Sequence, residues 1–163
     1  MKHTLLTSKF SVIFSLLLST LAFNSAYALE IGDTVSEELQ KQLNIPAGKV
    51  GIVDFFASWC LSCEKELPDM KKFIQQDTDK KTYVIGIDVD EELAEGLAFQ
   101  AELSIDFPVI NDTEQQIIDA FSPIAMPALY YVLDNKIIGK RIGAVHYIDQ
   151  KIKEDLYNLG VKI

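Results

Sequence analysis

The sequence predicts an α/β domain with a central mixed β-sheet flanked by helices. Three observations carry that reading. Apolar runs of strand length alternate with segments whose apolar residues recur at helical spacing, as parallel strands joined by helical crossovers require. The alternation ends in two strand-like runs split by Asp134-Asn135, a tight turn that adds an antiparallel hairpin to the sheet. The only two cysteines, Cys60 and Cys63, stand where the first strand gives way to a helix.

Residues 1–28 are of different composition from the rest. Lys2 and Lys9 precede an apolar block from Phe10 to Phe23, and Ala26-Tyr27-Ala28 supplies small residues before a cut expected between Ala28 and Leu29. The block is shorter than the roughly 20 residues a membrane span needs, so a cleaved signal peptide is expected, with an uncleaved membrane anchor as the alternative. Residues 29–163 then form one domain that is soluble in the periplasm or another extracytoplasmic space. The leader takes two of the 15 Lys and Arg and none of the 24 Asp and Glu, so 13 positive against 24 negative side chains, a net −11, remain. So acidic a surface argues against nucleic acid and for proteins or small thiols as partners.

Within that domain, Ser36-Glu37-Glu38-Leu39 reads as the capped start of a short lead-in helix. Lys49 to Ala57 is a buried strand, apolar after Lys49 apart from Asp54, and a carboxylate there is costly unless it is protonated, paired or needed. From Cys60 the chain turns helical, with Leu67, Met70, Phe73 and Ile74 on one face; Pro68 inside it predicts a kink. Thr82 to Val89 is a second strand, apolar in the manner of parallel strands covered on both faces. Asp90-Glu91-Glu92 then open a helix to about Leu103, read as a solvated start favoured by the helix dipole. Phe107 to Ile110 is a short extended piece, and Asp112-Thr113 caps a helix through Phe121. Pro127 to Leu133 and Lys136 to Gly143 form the hairpin. Tyr147 to Leu159 closes the fold, with Ile148, Ile152, Leu156 and Leu159 on one face.

The first turn of a helix favours negative charge, so the Cys60 thiol is expected to ionise below its free pKa of about 8.5 and to act as nucleophile. Cys63, one turn deeper on the same side, is placed to resolve a mixed disulfide formed at Cys60. A purely structural bridge between them would close so short a loop that it adds little stability. Asp54 beneath and Glu66 one turn beyond Cys63 are the candidate proton acceptors; if both lie near the sulfurs, burial and mutual repulsion raise and couple their titrations. Lys65 and His146, the single histidine after the leader, read as surface residues.

The run Phe55-Phe56-Ala57-Ser58-Trp59-Cys60-Leu61-Ser62-Cys63, followed by Glu66 and Pro68, resembles the thioredoxin superfamily and more closely its exported TlpA/ResA/DsbE-like thiol-disulfide oxidoreductases. Val84 to Asp90 with the helix after it, then Phe107-Pro108-Val109, looks like the extra helix and strand that this branch inserts into the thioredoxin-like fold. Met126-Pro127-Ala128 falls where the superfamily keeps a cis-proline, which implies a cis Pro127, with the backbone of Met126 pairing with substrate and Trp59 shielding one side of the thiol. The resemblance further implies no cofactor beyond a redox-active Cys60–Cys63 disulfide, and a monomer that draws electrons from a DsbD/CcdA-like membrane donor. Leu61-Ser62 is not the usual dipeptide of the branch, and Asp54 stands where the branch more often has asparagine.

Without a histidine between the cysteines, and with two carboxylates opposing the thiolate, a reductase of protein disulfides is expected, serving for instance cytochrome c maturation. The alternatives are a dithiol oxidase or isomerase and, in another class, a copper-binding chaperone; the latter lacks a second pair of soft ligands.

Overall fold

The computed structural model describes residues 27–161, so the expected leader falls almost entirely outside the described residues. A short helix α1 (Glu37–Leu43) leads into strand β1 (Val50–Phe56) and helix α2 (Leu61–Gln76). Then come β2 (Thr82–Asp88), α3 (Leu93–Glu102), β3 (Val109–Asn111), α4 (Gln116–Phe121), the hairpin β4 (Ala128–Leu133) and β5 (Lys136–Ile142), and α5 (Ile148–Asn158). The five strands lie in the order β3-β2-β1-β4-β5. β1, β2 and β3 are parallel, while β4 runs antiparallel to β1 and β5 antiparallel to β4. This is the predicted mixed sheet.

β1 is central, and every one of its residues is buried, Asp54 included. Its apolar run therefore lacks the polar alternation of a half-exposed strand. The Ser36 side chain accepts the Leu39 N–H and caps α1. The lead-in before it runs along the free edge of β5: Gly32 donates to Ile137 O at 2.8 Å, and Ile137 returns a bond to Asp33 O at 3.0 Å. Part of an otherwise open sheet edge is thereby satisfied. Asp134 and Asn135 both take positive φ, 48° and 63°, as the two-residue hairpin turn requires.

Helix α2 continues through Pro68 as one element. It packs on α5, where Lys72 pairs with the buried Asp149 at 2.7 Å. Under β1 and β4 sits an aromatic cluster: Phe121 of α4 lies 5.2 Å from Phe55 and 4.9 Å from Tyr130, centroid to centroid. Tilted and edge-on rings at these separations are the favoured arrangement.

Two helix starts differ from expectation. The helix predicted from Asp90 begins at Leu93, because Asp90 turns inward instead of standing in solvent at a helix start. The helix predicted from Asp112 begins at Gln116 with Gln115 as its N-cap residue, and Asp112 reaches forward from before it, its carboxylate accepting the N–H groups of Ile117 and Ile118 at 2.9 and 2.8 Å. In both cases an aspartate found partners that a reading by spacing does not see.

Candidate active site

The site grows from the carboxyl end of β1. The chain leaves the core at Ala57, turns through Ser58-Trp59, and closes the turn with a bond from Cys60 N–H to Ala57 O at 3.1 Å. Cys60 is the N-cap of α2, and its Sγ accepts the Cys63 N–H at 3.3 Å. The sulfur thus occupies the place where a helix leaves unsatisfied donors and favours negative charge. Ser62 brings its hydroxyl to 3.6 Å from the same sulfur. Cys60 and Cys63 are joined as a disulfide. Cys63 is the deeper partner, and Cys60 is flanked by Trp59 and Leu61, 67% and 64% exposed.

Across from the cysteines the Met126–Pro127 bond is cis, as the resemblance implied. Pro127 O accepts the Gly143 N–H at 2.9 Å, which ties this loop to the end of β5. Trp59, Cys60, Leu61, Ile118 and Met126 line an open groove of about 810 Å³, with Lys65 and His146 also on its wall. Another concavity, about 610 Å³, lies between α1 and the β4–β5 turn, but no cysteine reaches it. The groove beside the disulfide is therefore the candidate site.

Asp54 of β1 and Glu66 of α2, the two candidate proton acceptors, are both buried, and Glu66 is near enough for its charge to act on Asp54. Burial pushes the Asp54 carboxyl well above the ordinary carboxylate range, and the negative charge of Glu66 pushes it further. Glu66 is also raised by burial, held back by a bond from the Val145 N–H and by the positive groups of Arg141 and His146. Glu66 is thus no ordinary solvent-facing helix residue. His146 lies on the surface as expected, but at the rim of the groove. The loop that carries it, together with Ala144 and Val145, joins the site only because β5 and α5 fold back onto α2, and no local pattern in the sequence announces this. Among the described residues no group of three or more His, Cys, Asp or Glu side chains is placed to hold a metal ion, and no helix is long and apolar enough to cross a membrane.

A five-stranded mixed sheet, a cysteine pair capping the helix after its central strand and a facing cis-proline together define a protein of the thioredoxin superfamily. The sequence model of the AhpC/TSA family matches residues 26–141, and the chain belongs to that family. A thiol-disulfide oxidoreductase ResA of Bacillus cereus is 31% identical over 97 residues, covering 59% of this chain and 56% of that relative. The chain thus spans about half the length of the curated relatives it matches. The crystal structure of a protein from Chlorobium tepidum assigned as thiol:disulfide interchange protein DsbE superposes with a TM-score of 0.68 at 20% identity, over 81% of this chain and 99% of that one. StoA from Bacillus subtilis gives a TM-score of 0.60 at 20% identity, covering 67% and 83%. Both share the fold.

Proposed function

We propose that this chain is an extracytoplasmic thiol-disulfide oxidoreductase that exchanges a dithiol for a disulfide at Cys60 and Cys63, working as a reductase of protein disulfides. The observation that carries the exchange chemistry, whichever way electrons flow, is the disulfide itself: it caps a helix at the mouth of an apolar groove, with its outer sulfur already accepting a backbone N–H. The name of the Bacillus cereus relative supports the same chemistry.

In the reduced enzyme the Cys60 thiolate attacks one sulfur of a substrate disulfide. A Cys60–substrate disulfide forms, and the displaced substrate sulfur leaves as a thiolate that takes up a proton. Asp54, with Glu66 beside it, accepts the Cys63 proton. The Cys63 thiolate then attacks Cys60 Sγ, re-forming the Cys60–Cys63 bond and releasing the second substrate thiol. Two electrons pass to the substrate, and a membrane dithiol donor of the DsbD/CcdA kind returns them. Trp59 and Met126-Pro127 hold the substrate segment in the groove. The leader-like residues 1–28 fit action outside the cytoplasm on exported proteins, apocytochrome c cysteines among the candidates, with a monomer as the working unit, and the net acidic charge argues against nucleic acid as a partner.

The direction of flow follows from the charges. No histidine lies between the cysteines to stabilise a thiolate, and the buried carboxyls of Asp54 and Glu66 oppose one to the extent that they ionise, so the disulfide is not poised as a strong oxidant. One observation favours the opposite assignment as a dithiol oxidase: the Ser62 hydroxyl and the Cys63 N–H both approach Cys60 Sγ. Equilibration with glutathione and dithiothreitol buffers decides between them. A reductase gives a potential below about −200 mV, whereas one near −120 mV makes the chain an oxidase. A Cys63→Ala variant is expected to accumulate mixed disulfides at Cys60 with exported proteins. Recovery of thiol oxidants alone would refute the reductase.

A further inference from the structure

Asp88 and Asp90, at the end of β2, are buried carboxylates that the exchange reaction does not use. Asp90 gives both oxygens to one residue of the active-site turn: Ser58 donates its backbone N–H to Oδ2 and its hydroxyl to Oδ1, each at 2.8 Å. Behind it, the Asp90 N–H donates to Asp88 Oδ1 at 3.0 Å. Gln100 of α3 donates to Asp88 Oδ2 at 2.6 Å and to Asn111 of β3 at 2.7 Å. Gly96 of α3 sits so close that a methyl group there would stand 2.6 Å from Asp88 Oδ2. An unbroken chain of bonds therefore runs from α3 and β3 to the residue two before Cys60.

Burying two adjacent carboxylates is costly, and an apolar pair of similar volume would fill the space at lower cost. What the carboxylates provide is a grip on a short turn. Ser58 and Trp59 are the two corner residues of the turn that Cys60 N–H closes on Ala57 O. With Ser58 held at its N–H and its hydroxyl, the turn has one setting, and Cys60 Sγ stays over the first turn of α2. We propose that Asp90 is a positioning residue for the cysteine pair, fixing Ser58 so that the Cys60 sulfur keeps the Cys63 N–H, with Asp88, Gln100 and Gly96 holding Asp90 in place. This deepens the thiol-exchange reading of the site and rests on it only for its functional meaning, since the grip acts on Cys60 whatever its partner.

The test is the reactivity of Cys60 in the reduced full chain, read as the alkylation rate with iodoacetamide across pH, with urea unfolding as a check that each variant folds. Asp90→Ala is expected to move the Cys60 titration upward and slow alkylation at pH 7 by about threefold to tenfold, the equivalent of one hydrogen bond. Asp90→Asn is expected to stay within about twofold of the parent, because its amide oxygen accepts the Ser58 N–H and its NH₂ donates to the Ser58 hydroxyl. Gly96→Ala, which crowds Asp88 and leaves the titrating groups intact, should shift reactivity in the same direction as Asp90→Ala. A downward titration shift in both Asp90 variants would show that only the charge matters and would overturn the proposal. So would parent-like reactivity in folded Asp90→Ala. If Asp90→Ala does not fold, Gly96→Ala decides, and parent-like reactivity there overturns the proposal. Alkylation needs neither substrate nor electron donor, so the expected pattern in a chain that reduces no protein disulfide would sink the reductase reading and leave the positioning role standing.

Discussion

Asp54 occupies the middle of a strand whose residues are all buried, and its carboxyl is raised first by that burial and then by the charge of Glu66. The neutral acid is the form the fold prefers, whereas the unfolded chain ionises near pH 4. Its contribution to stability is therefore full in acid and is lost as pH rises from that value towards the raised folded one. Asp54→Asn is expected to raise the urea midpoint at pH 7, with the gain vanishing near pH 3. On the proposed role of ionised Asp54 as acceptor of the Cys63 proton, the same variant should slow resolution of a mixed disulfide by about a hundredfold, read by stopped-flow with a peptide disulfide. A lower midpoint at pH 7 would mean that the carboxylate is ionised and stabilised in the fold. Asp54 is conspicuous in the sequence as the only charge in an apolar run. Glu66 is not, since its burial depends on the Val145 N–H arriving from a distant loop.

At the scale of elements, the site depends on how α5 is fastened to the hairpin. Asp155 of α5 accepts a fork from Arg141 of β5 and a hydroxyl bond from Tyr131 of β4 at 2.7 Å. Charged, two-pronged bonds of this kind are among the stronger side-chain contacts. They hold the loop between β5 and α5, which lays Val145 on Glu66 and His146 on the groove. Arg141→Leu is expected to cost about 2 kcal/mol of stability at pH 7, measured by urea denaturation, because Asp155 keeps its place with its charged partner gone. It should also raise Glu66 further, since Arg141 is one of the positive groups holding that carboxyl down. An unchanged midpoint would show that water replaces the fork without loss. Strands and helices themselves are legible as periodicity, but the starts of α3 and α4 are not, because Asp90 and Asp112 answer to partners that spacing does not reveal.

Over the whole molecule, the groove and the core are one construction. Phe121 is fully buried at the end of α4 and meets Phe55 of β1 and Tyr130 of β4. One turn earlier on the same helix, Ile118 forms part of the groove wall. Phe121→Ala is expected to cost about 3–5 kcal/mol, read from urea unfolding, as for other large-to-small changes in a close-packed core. A loss below about 1 kcal/mol would show that α4 is held in place by other contacts.

The amino-acid sequence alone determined the strands, the hairpin turn, the N-cap of α1 and the placing of two cysteines at the start of a helix, because each is set by residues close together in the chain. It also carried the resemblance that implied the cis bond before Pro127. The tertiary structure decided what surrounds the sulfurs: Glu66 buried beneath a loop from the far end of the sheet, His146 on the groove, and Asp90 turned inward to grip Ser58. Those choices depend on desolvation and on hydrogen bonds between segments far apart in sequence. Both exist only once the sheet has brought β1, β2 and β5 into register, and spacing along the chain does not encode them.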